Sequence, residues 1–536
     1  MRISTTDSLF AWDKLPDSPD LVSLRFLLDL LPDGSLLAAL RAHRGKGRND
    51  YPVHILWRVH VSHYFLRHAS MEGCLAELGR NPALRRVIGI EDGQGVPAAW
   101  NMSRFQEVLG QPVHLDLMQQ MFAELTARLA TAVPDLGVNL AGDSAALAAR
   151  KHAPRGASSA AVPGKLMLPG LAVTGKKEKR KISLPVLSGN ASDETSTAST
   201  ESSELSEITV SARTSENTES IVHTASELPQ PAGGRKEYKD DDGKVTATYE
   251  WFGYKFHLLV DVKHEVIIAW HITSAAGEGT GDSSVIPQLL AQAQNVLPKG
   301  RIQTLAYDKA ADDSKTHELL ATACIKPLIQ IRNLWKDQTE QLLPGHDGNS
   351  NVVYDEAGTL YCYDKVSTIP VKHKMSFAGH EKSRGTLKYR CPAHAGGYSC
   401  PSDKKCNGDS AYGKTVRVKS EIDLRRFPPI PRGTLAFERL YKGRTAVERI
   451  NARTKVYWGA DDGNVTGAER FHAHLATIML VHATTANWLA CQPRYEGKSL
   501  SPTRMSQLAG QLHKLNRQSH VQNHLDHAKN INDTKT

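Results

Sequence analysis

Four polar residues spaced by three, four and seven positions are the first candidates for chemistry in this 536-residue chain. They are Tyr441, Arg444, Glu448 and Lys455, in the run YKGRTAVERINARTK at 441–455. On an α-helix, at about 100° per residue, these positions fall within roughly 60° of arc and form one polar stripe. A carboxylate flanked by cations suits metal-assisted chemistry at a phosphodiester, with Glu448 holding a divalent cation and its neighbours holding phosphates. A solvated helix face with ion pairs four residues apart would give the same pattern.

The spacing of this stripe resembles the YREK signature of bacterial insertion-sequence DDE transposases. The resemblance implies that Glu448 is the third acidic residue of an RNase H-like catalytic core. It also implies that Tyr441, Arg444 and Lys455 contact DNA. In that family, two aspartates on upstream strands complete the site. The resemblance therefore predicts two such aspartates before Glu448 in this sequence.

Asp143 is the first candidate aspartate, in the run GVNLAGDSAALAAR. The apolar residues before it predict a short strand, and Asp143 stands where that strand would end, so its carboxylate could enter a cleft. An aspartate at a strand end is also a common turn former. The family pattern places a small residue and then Thr after this aspartate, whereas Ser144 and Ala145 follow it here.

Asp308 is the second candidate, because it closes the apolar strand in RIQTLAYDKAADD. Asp312 and Asp313 instead suit the first turn of the following helix, where negative charge is favourable. With these assignments the two aspartates and Glu448 would converge on one site.

The order of elements between the aspartates also predicts the fold. After the first strand and an insertion come a hairpin at 249–273, an amphipathic helix at 283–297, a strand, a helix and a strand. This order resembles the RNase H-like fold. We therefore expect an α+β or α/β class, with a mixed-sheet core, a helical N-terminal domain and a β-rich insertion domain.

Residues 1–130 have the apolar periodicity of helices, clearest at 21–31, 35–43 and 54–68. Asn81 before Pro82 predicts a helix start. Arginine and histidine recur throughout this part. An ordinary bundle with a basic face would look the same, while the family resemblance implies a domain that binds terminal inverted repeats.

Two segments interrupt the core pattern. The first, 151–236, contains a Ser/Thr/Glu-rich tract at 188–220 that we predict to be disordered, because it cannot bury enough apolar surface. The second, 336–436, is rich in strand and turn signals. It holds four cysteines within 45 residues, namely Cys362, Cys391, Cys400 and Cys406. Thiols in turns could bind a structural Zn²⁺, although the spacing is irregular and lacks a CxxC pair; reduced, partly buried cysteines are the alternative.

These observations divide the chain into five predicted parts. They are a helical N-terminal domain at 1–130, the first part of the RNase H-like core at 131–335, the β-rich insertion at 336–436, the closing helices of the core at 437–490, and a polar tail at 491–536.

Composition limits the partners and the compartment. The formal net charge of +9 suits a polyanionic partner. Seven cysteines, an odd number in a long chain, disfavour a disulfide framework. No apolar run approaches 18 residues and the start lacks a signal-peptide pattern, so we expect a cytoplasmic protein without a membrane partner.

The resemblance implies a specific reaction. Asp143, Asp308 and Glu448 would hold two Mg²⁺ or Mn²⁺ ions, one activating water or a DNA 3′-OH and the other stabilising the leaving oxygen. The partners would be double-stranded DNA, both the terminal inverted repeats and the target, bound by a nucleoid-associated homodimer because two ends are cut together. Two alternatives stay open: an RNase H-like nuclease that does not join strands, and a non-catalytic repressor that uses only its N-terminal domain.

Overall fold

A computed structural model describes part of the chain, namely residues 18–491 except 47–49, 92, 150–164, 168–227, 240–243, 333, 337–338, 345–350 and 463–464. The tract at 188–220 and the tail after 491, for which we predicted disorder and a polar character, lie outside these residues.

The N-terminal part is helical, as predicted. Its helices are α1 (Pro19–Leu30), α2 (Gly34–Arg44), α3 (Val53–Phe65), α4 (Met71–Arg80), α5 (Pro82–Ile88), α6 (Ala99–Leu109) and α7 (Pro112–Ala132). Local chemistry sets the helix starts. The Asn81 side chain accepts a hydrogen bond from the Leu84 amide at 3.1 Å, with Pro82 at the first helical position, which confirms the predicted cap.

A mixed sheet with flanking helices follows. Its elements are β1 (Asn139–Ala148), β2 (Lys165–Met167), β3 (Ala232–Lys239), β4 (Val245–Asp261), β5 (Ile267–Ser274), α8 (Asp282–Val296), β6 (Thr304–Tyr307), α9 (Ser314–Thr322) and β7 (Lys326–Ile329). The central order is β2-β4-β1-β6-β7, and β3 and β5 also pair with β4. The predicted hairpin, helix, strand, helix and strand are confirmed, and the mixed sheet is the one expected for the core.

Strand β4 is buried on both sides. Phe256, Leu258 and Val260 face a cluster shared with the N-terminal helices, whereas Leu259 faces the cluster that includes α8. This alternation follows from the two-residue period of a strand. Strand β3 was missed from the sequence, because its run AGGRKEYK lacks apolar alternation and becomes a strand by pairing with β4.

The predicted insertion is β-rich. Its elements are β8 (Gln341–Leu342), β9 (Val352–Tyr354), β10 (Leu360–Tyr363), β11 (Lys372–Lys374), β12 (Ser376–Glu381), β13 (Thr386–Arg390), α10 (Pro392–Gly396), α11 (Asp403–Asn407) and β14 (Thr415–Lys419). Strands β8 to β11 form one sheet and β12 to β14 another, around a separate hydrophobic cluster.

The run that carries the polar stripe is helical from 435 to 457 but changes type three times. It consists of α12 (Leu435–Tyr441), a 3₁₀ turn (Lys442–Arg444), α13 (Thr445–Ala452) and a π-helical turn (Arg453–Tyr457). The single regular α-helix assumed for the stripe is therefore wrong. Gly443 lies against Val262, where a Cβ would come within 2.6 Å of a methyl carbon, so close packing requires glycine at the 3₁₀ turn.

The last helix, α14 (Ala468–Ala490), joins the N-terminal helices to the sheet. Tyr64 and His474 share a buried hydrogen bond of 2.8 Å, and His60 lies 3.1 Å from the Thr477 hydroxyl. Asn487 donates to the Leu125 carbonyl at 2.8 Å. The N-terminal helices thus share a core with the sheet. The domain boundaries given above stay predictions.

A buried carboxylate anchors both ends of the insertion. Asp312 accepts from the Arg332 amide at 2.7 Å and from the Arg425 side chain at 2.7 Å, with Arg432 at 3.5 Å and His317 at 3.1 Å. Burial raises the pKa of Asp312, but these hydrogen bonds outweigh it and hold the pKa below its ordinary value. Only Asp313 caps α9 as predicted, because Asp312 turns inward to these cations.

Candidate active site

Strand register places the two predicted aspartates side by side. Strand β1 pairs in parallel with β6, and the last pair joins Ala141 to Ala306. Asp143 and Asp308 each lie two residues beyond that pair, so they stand at the same level. The prediction that Asp143 ends its strand was wrong. Antiparallel pairing with β4 extends β1 to Ala148.

The residues that precede the aspartates fix this arrangement. Tyr307 is buried, and its ring lies on the backbone of Gly142, where a Cβ would come within 2.1 Å of ring carbons. Only glycine allows this approach. Burial raises the pKa of the Tyr307 phenol, and carboxylates at Asp282, Asp143 and Asp308 raise it further. The buried Tyr307 phenol therefore lies close enough to these three acids to be affected by their charges.

Asp143 carries the clearest electrostatic signal. Its side chain is 22% exposed, and its Oδ1 accepts from the Ser144 amide at 2.8 Å. Burial raises the pKa of Asp143 from 3.8 to about 6, with repulsion from the Asp308 and Asp282 carboxylates adding to the rise. The Ser144 amide and Arg444 oppose the rise without cancelling it. Burial first, and the neighbouring carboxylates second, thus make the charged form of Asp143 less favourable than in water, even with Arg444 beside it.

Glu448 is linked to Asp143 through Arg444. The guanidinium lies 2.5 Å from Glu448 Oε1 and 3.5 Å from Asp143 Oδ2, so it stands between the two carboxylates. Glu448 itself is 51% exposed. Asp308 accepts from the Ala310 amide at 2.9 Å. In the described ranges, no three His, Cys, Asp or Glu side chains are placed to share one metal ion.

The donor set nevertheless fits Mg²⁺ or Mn²⁺ in kind. Asp143, Asp308 and Glu448 offer hard carboxylate oxygens, which these cations prefer. Burial and, to a lesser extent, the nearby carboxylates raise the pKa of Asp143, and a divalent cation bound there would favour its charged form. Arg444 now lies where its positive charge partly serves that purpose.

The other two stripe residues have different surroundings. The Tyr441 ring stacks on Phe437, with centroids 5.5 Å apart. The Lys455 amine contacts the Ala146 carbonyl of β1 and lies 3.9 Å from Asp461. Burial lowers the pKa of Lys455. The π-helical turn places this lysine on β1 instead of along an α-helical stripe.

Asp282 was missed by sequence reasoning. It is the first residue of α8, and its Oδ1 lies 3.2 Å from Nδ1 of the buried His257. It also forms a hydrogen bond with the Ser144 side chain, next to Asp143. From the sequence, an aspartate in the first turn of a helix indicates only a favourable helix start.

The four cysteines of the insertion converge, but no zinc site is seen there. Cys362, Cys391, Cys400 and Cys406 line one small cavity of about 30 Å³. Asn407 donates to the Cys391 sulfur at 3.5 Å. Burial raises the pKa of Cys362 to about 12, and the other three thiols add to the rise. Among the described residues, these side chains are not placed to share one metal ion.

Two family models match parts of the chain. Residues 223–483 match a family model described as Transposase DDE domain, and residues 12–108 match one described as Transposase domain (DUF772). Asp308 and Glu448 fall within the first match, whereas Asp143 lies between the two. No curated protein matches the chain. Among the helices of the described chain, none combines the length and apolar character needed to cross a membrane.

Asp143→Asn should stabilise the metal-free protein at pH 7.5. The pKa of Asp143 is about 6 in the folded state, against an ordinary value of 3.8. Folding therefore favours the protonated form, and the resulting contribution to the free energy of unfolding is complete below about pH 4. That contribution is lost as the pH rises through 6, and a rise of about two pKa units corresponds to at most about 3 kcal/mol. Urea denaturation in EDTA should therefore show a gain at pH 7.5 that disappears below about pH 4.

Asp20→Asn is the matched control for this measurement, since Asp20 lies in the first turn of the distant helix α1. Its free energy of unfolding should change little. An Asp143→Asn protein no more stable than wild type at pH 7.5 would mean that Arg444 already neutralises Asp143.

Proposed function

Because the chain carries a transposase DDE domain and an N-terminal transposase domain, as insertion-sequence transposases do, we propose that it moves a DNA element by cutting and joining. In this proposal it binds the terminal inverted repeats, cleaves at the element ends, and joins the freed 3′-OH ends to target DNA by transesterification. The observation that carries the proposal is the level placement of Asp143 and Asp308 beyond one parallel ladder. Arg444 links Glu448 to Asp143.

Asp143, Asp308 and Glu448 would hold Mg²⁺ or Mn²⁺. The chemistry supplied by these ions when bound is activation of a water or a 3′-OH and stabilisation of the leaving oxygen. The chain's own contribution is to place the Asp143 and Asp308 carboxylates at the same level, beside the buried Tyr307. No covalent protein nucleophile is needed, and we assign none.

Arg444 is the side chain best placed to respond to DNA. It now pairs with Asp143 and Glu448, both of which would serve as ligands. A DNA phosphate competes with carboxylates for a guanidinium, because both offer bidentate oxygen acceptors. Arrival of the substrate would thus draw Arg444 onto the backbone and release the two carboxylates together.

A surface that could guide DNA continues past Lys455. Arg67, at the end of α3, stacks on the Tyr457 ring at 3.7 Å and donates to the Val456 carbonyl at 3.3 Å. Arg67 is exposed and has φ of +58°, a conformation that costs a non-glycine residue free energy. This contact joins the N-terminal helices to the π-helical turn. We propose that repeat DNA crosses here, and that two copies of the chain act together because two ends must be cut.

Substitution of the acids tests the reaction. Asp143→Ala, Asp308→Ala and Glu448→Ala should each abolish cleavage, since each removes a proposed ligand, while binding of repeat DNA stays near the wild-type level. The assay incubates purified protein, Mg²⁺ and repeat-ended DNA, and scores nicked and joined products alongside a gel-shift measurement. Glu438→Ala is the control, since Glu438 is an exposed acid on the neighbouring helix α12.

The same assay separates the alternative functions. Wild-type cleavage without joining would indicate a nuclease, and repeat binding without either product would indicate a repressor. Near-normal cleavage by Asp143→Ala would exclude Asp143 from the site.

Lys455→Ala tests the proposed DNA contact. If Lys455 leaves the Ala146 carbonyl for a phosphate, its removal should weaken DNA binding and reduce the salt slope, d log K/d log[salt], by about 0.9. Binding isotherms at several salt concentrations measure this slope. Lys419→Ala, which removes an exposed lysine of the insertion, is the control. An unchanged slope together with a lower melting temperature would show that Lys455 only fastens the π-helical turn to β1.

A further inference from the structure

The loop that joins β10 to β11 presents an exposed apolar tip. Its sequence, KVSTIPV at 365–371, contains Val366, Ile369 and Val371, and all three side chains are exposed. Ile369 is 82% exposed, and Pro370 beside it is also exposed. Scattered single apolar residues are common at protein surfaces, whereas a group of them at one loop tip indicates a site of interaction.

A buried carboxylate holds this tip in one shape. Asp364 accepts hydrogen bonds from the backbone amides of Val366 at 3.1 Å, Ser367 at 2.7 Å and Val371 at 2.8 Å. These bonds reach both ends of the loop and close it across its base. A side chain presented from such a preformed loop loses less conformational freedom on binding.

Lysines surround the tip. Lys365 precedes it and Lys372 follows it, and both are exposed. The Lys365 amide donates to the Ser402 hydroxyl, which brings the start of α11 against the loop. Lys404 and Lys405 are exposed residues of that helix. The apolar tip therefore stands within a rim of positive charge.

The acidic side chains near this rim already have partners. Glu340 pairs with Lys372, and Asp403 lies 2.7 Å from His394 Nε2. The charge of Asp364 is turned inward onto the loop amides. The outer surface around the tip is therefore basic, which favours a polyanionic partner.

Duplex DNA fits this surface better than a second copy of the chain does. A stable protein interface buries about 800 Å² on each partner, which is more than three side chains can supply. Proteins that bend DNA need less, because one apolar side chain inserted between two base pairs opens that step. Lysines beside the inserted residue then bind the phosphates.

The base of the hairpin is fixed beside the run that carries the polar stripe. Lys374, at the end of β11, donates to the Gly433 carbonyl at 2.5 Å, two residues before α12 begins. Gly433 also packs on Thr359, where a Cβ would come within 3.0 Å of the side chain. From Ile369 along β11 and then along α12 to Arg444, the path is roughly one turn of a DNA duplex.

We propose that the loop at 365–371 is a wedge that bends duplex DNA, with Ile369 inserted between two base pairs and the surrounding lysines on the phosphates. This inference rests on the proposed cutting and joining of DNA, and it adds a contact made by the insertion. The bend would lie about one turn of duplex from the carboxylates.

The test measures bending and binding of a duplex that carries the element end and a fluorescent donor and acceptor at its two ends. The full chain is used in EDTA, so that no cleavage occurs. Wild-type protein should bend the duplex, whereas Ile369→Ser should lose most of the bend and bind about tenfold more weakly. Ile369→Leu keeps the apolar volume and should bend DNA as wild type does.

Ile422→Ser is the matched control, because Ile422 is an exposed isoleucine of the same insertion that lies outside the loop. It should change neither the bend nor the affinity. Because Ile369 is exposed, Ile369→Ser should also keep the wild-type melting temperature.

Three results would overturn the proposal. They are a duplex that stays straight with wild-type protein, a wild-type bend with Ile369→Ser, and a dimer without DNA that Ile369→Ser dissociates in light scattering. The last result would assign the tip to a second copy of the chain.

Failure of the wedge can be distinguished from failure of the proposed function. If wild-type protein cuts and joins DNA that stays straight, only the wedge is refuted. If the bend depends on Ile369 but the protein neither cuts nor joins in Mg²⁺, the transposase chemistry is refuted and the wedge remains.

Discussion

Repulsion among carboxylates at the end of one parallel ladder is the constraint on which the rest of this structure depends. Asp143 and Asp308 stand level because β1 and β6 pair in parallel register. The helix start at Asp282 adds a third carboxylate, and burial together with repulsion from Asp308 and Asp282 raises the pKa of Asp143. Close packing of Tyr307 on Gly142 holds the strands in place against that repulsion.

Two other contacts keep the third acid within reach of the first two. Arg332 and Arg425, near the two ends of the insertion, meet at the buried Asp312, so the inserted segment leaves and re-enters the core at one point. Arg432 also donates to the Ile329 carbonyl of β7 at 2.7 Å. The helical run that carries Glu448 therefore starts from a fixed place. Helix α14 then closes the core and fastens the N-terminal helices to it.

The sequence predicted those parts of the fold that local pattern determines. Apolar runs gave the order of the core elements, and a single strand ending at Tyr307 singled out Asp308. Strand β3 was missed, because its polar run depends on β4 for its conformation. The regular helix assumed for the stripe was wrong, since packing of Gly443 on Val262 and the π-helical turn are tertiary features.

The candidate site was predictable only in part for the same reason. Family spacing singled out Glu448, but its link to Asp143 through Arg444 is a contact across the fold. Asp282 has no signal of its own beyond a favourable helix start. The irregular spacing of the four cysteines did not show that they line one cavity, and no zinc site is seen among these described residues.

Anomalous scattering from crystals of the protein soaked in Mn²⁺ tests the central claim most directly, since it locates the ion and the side chains around it together. We predict the strongest peak between the carboxylates of Asp143 and Asp308, with Arg444 moved away from Asp143. A crystal saturated with Mn²⁺ that shows no peak there, and in which Arg444 still bridges Asp143 and Glu448, would contradict this prediction.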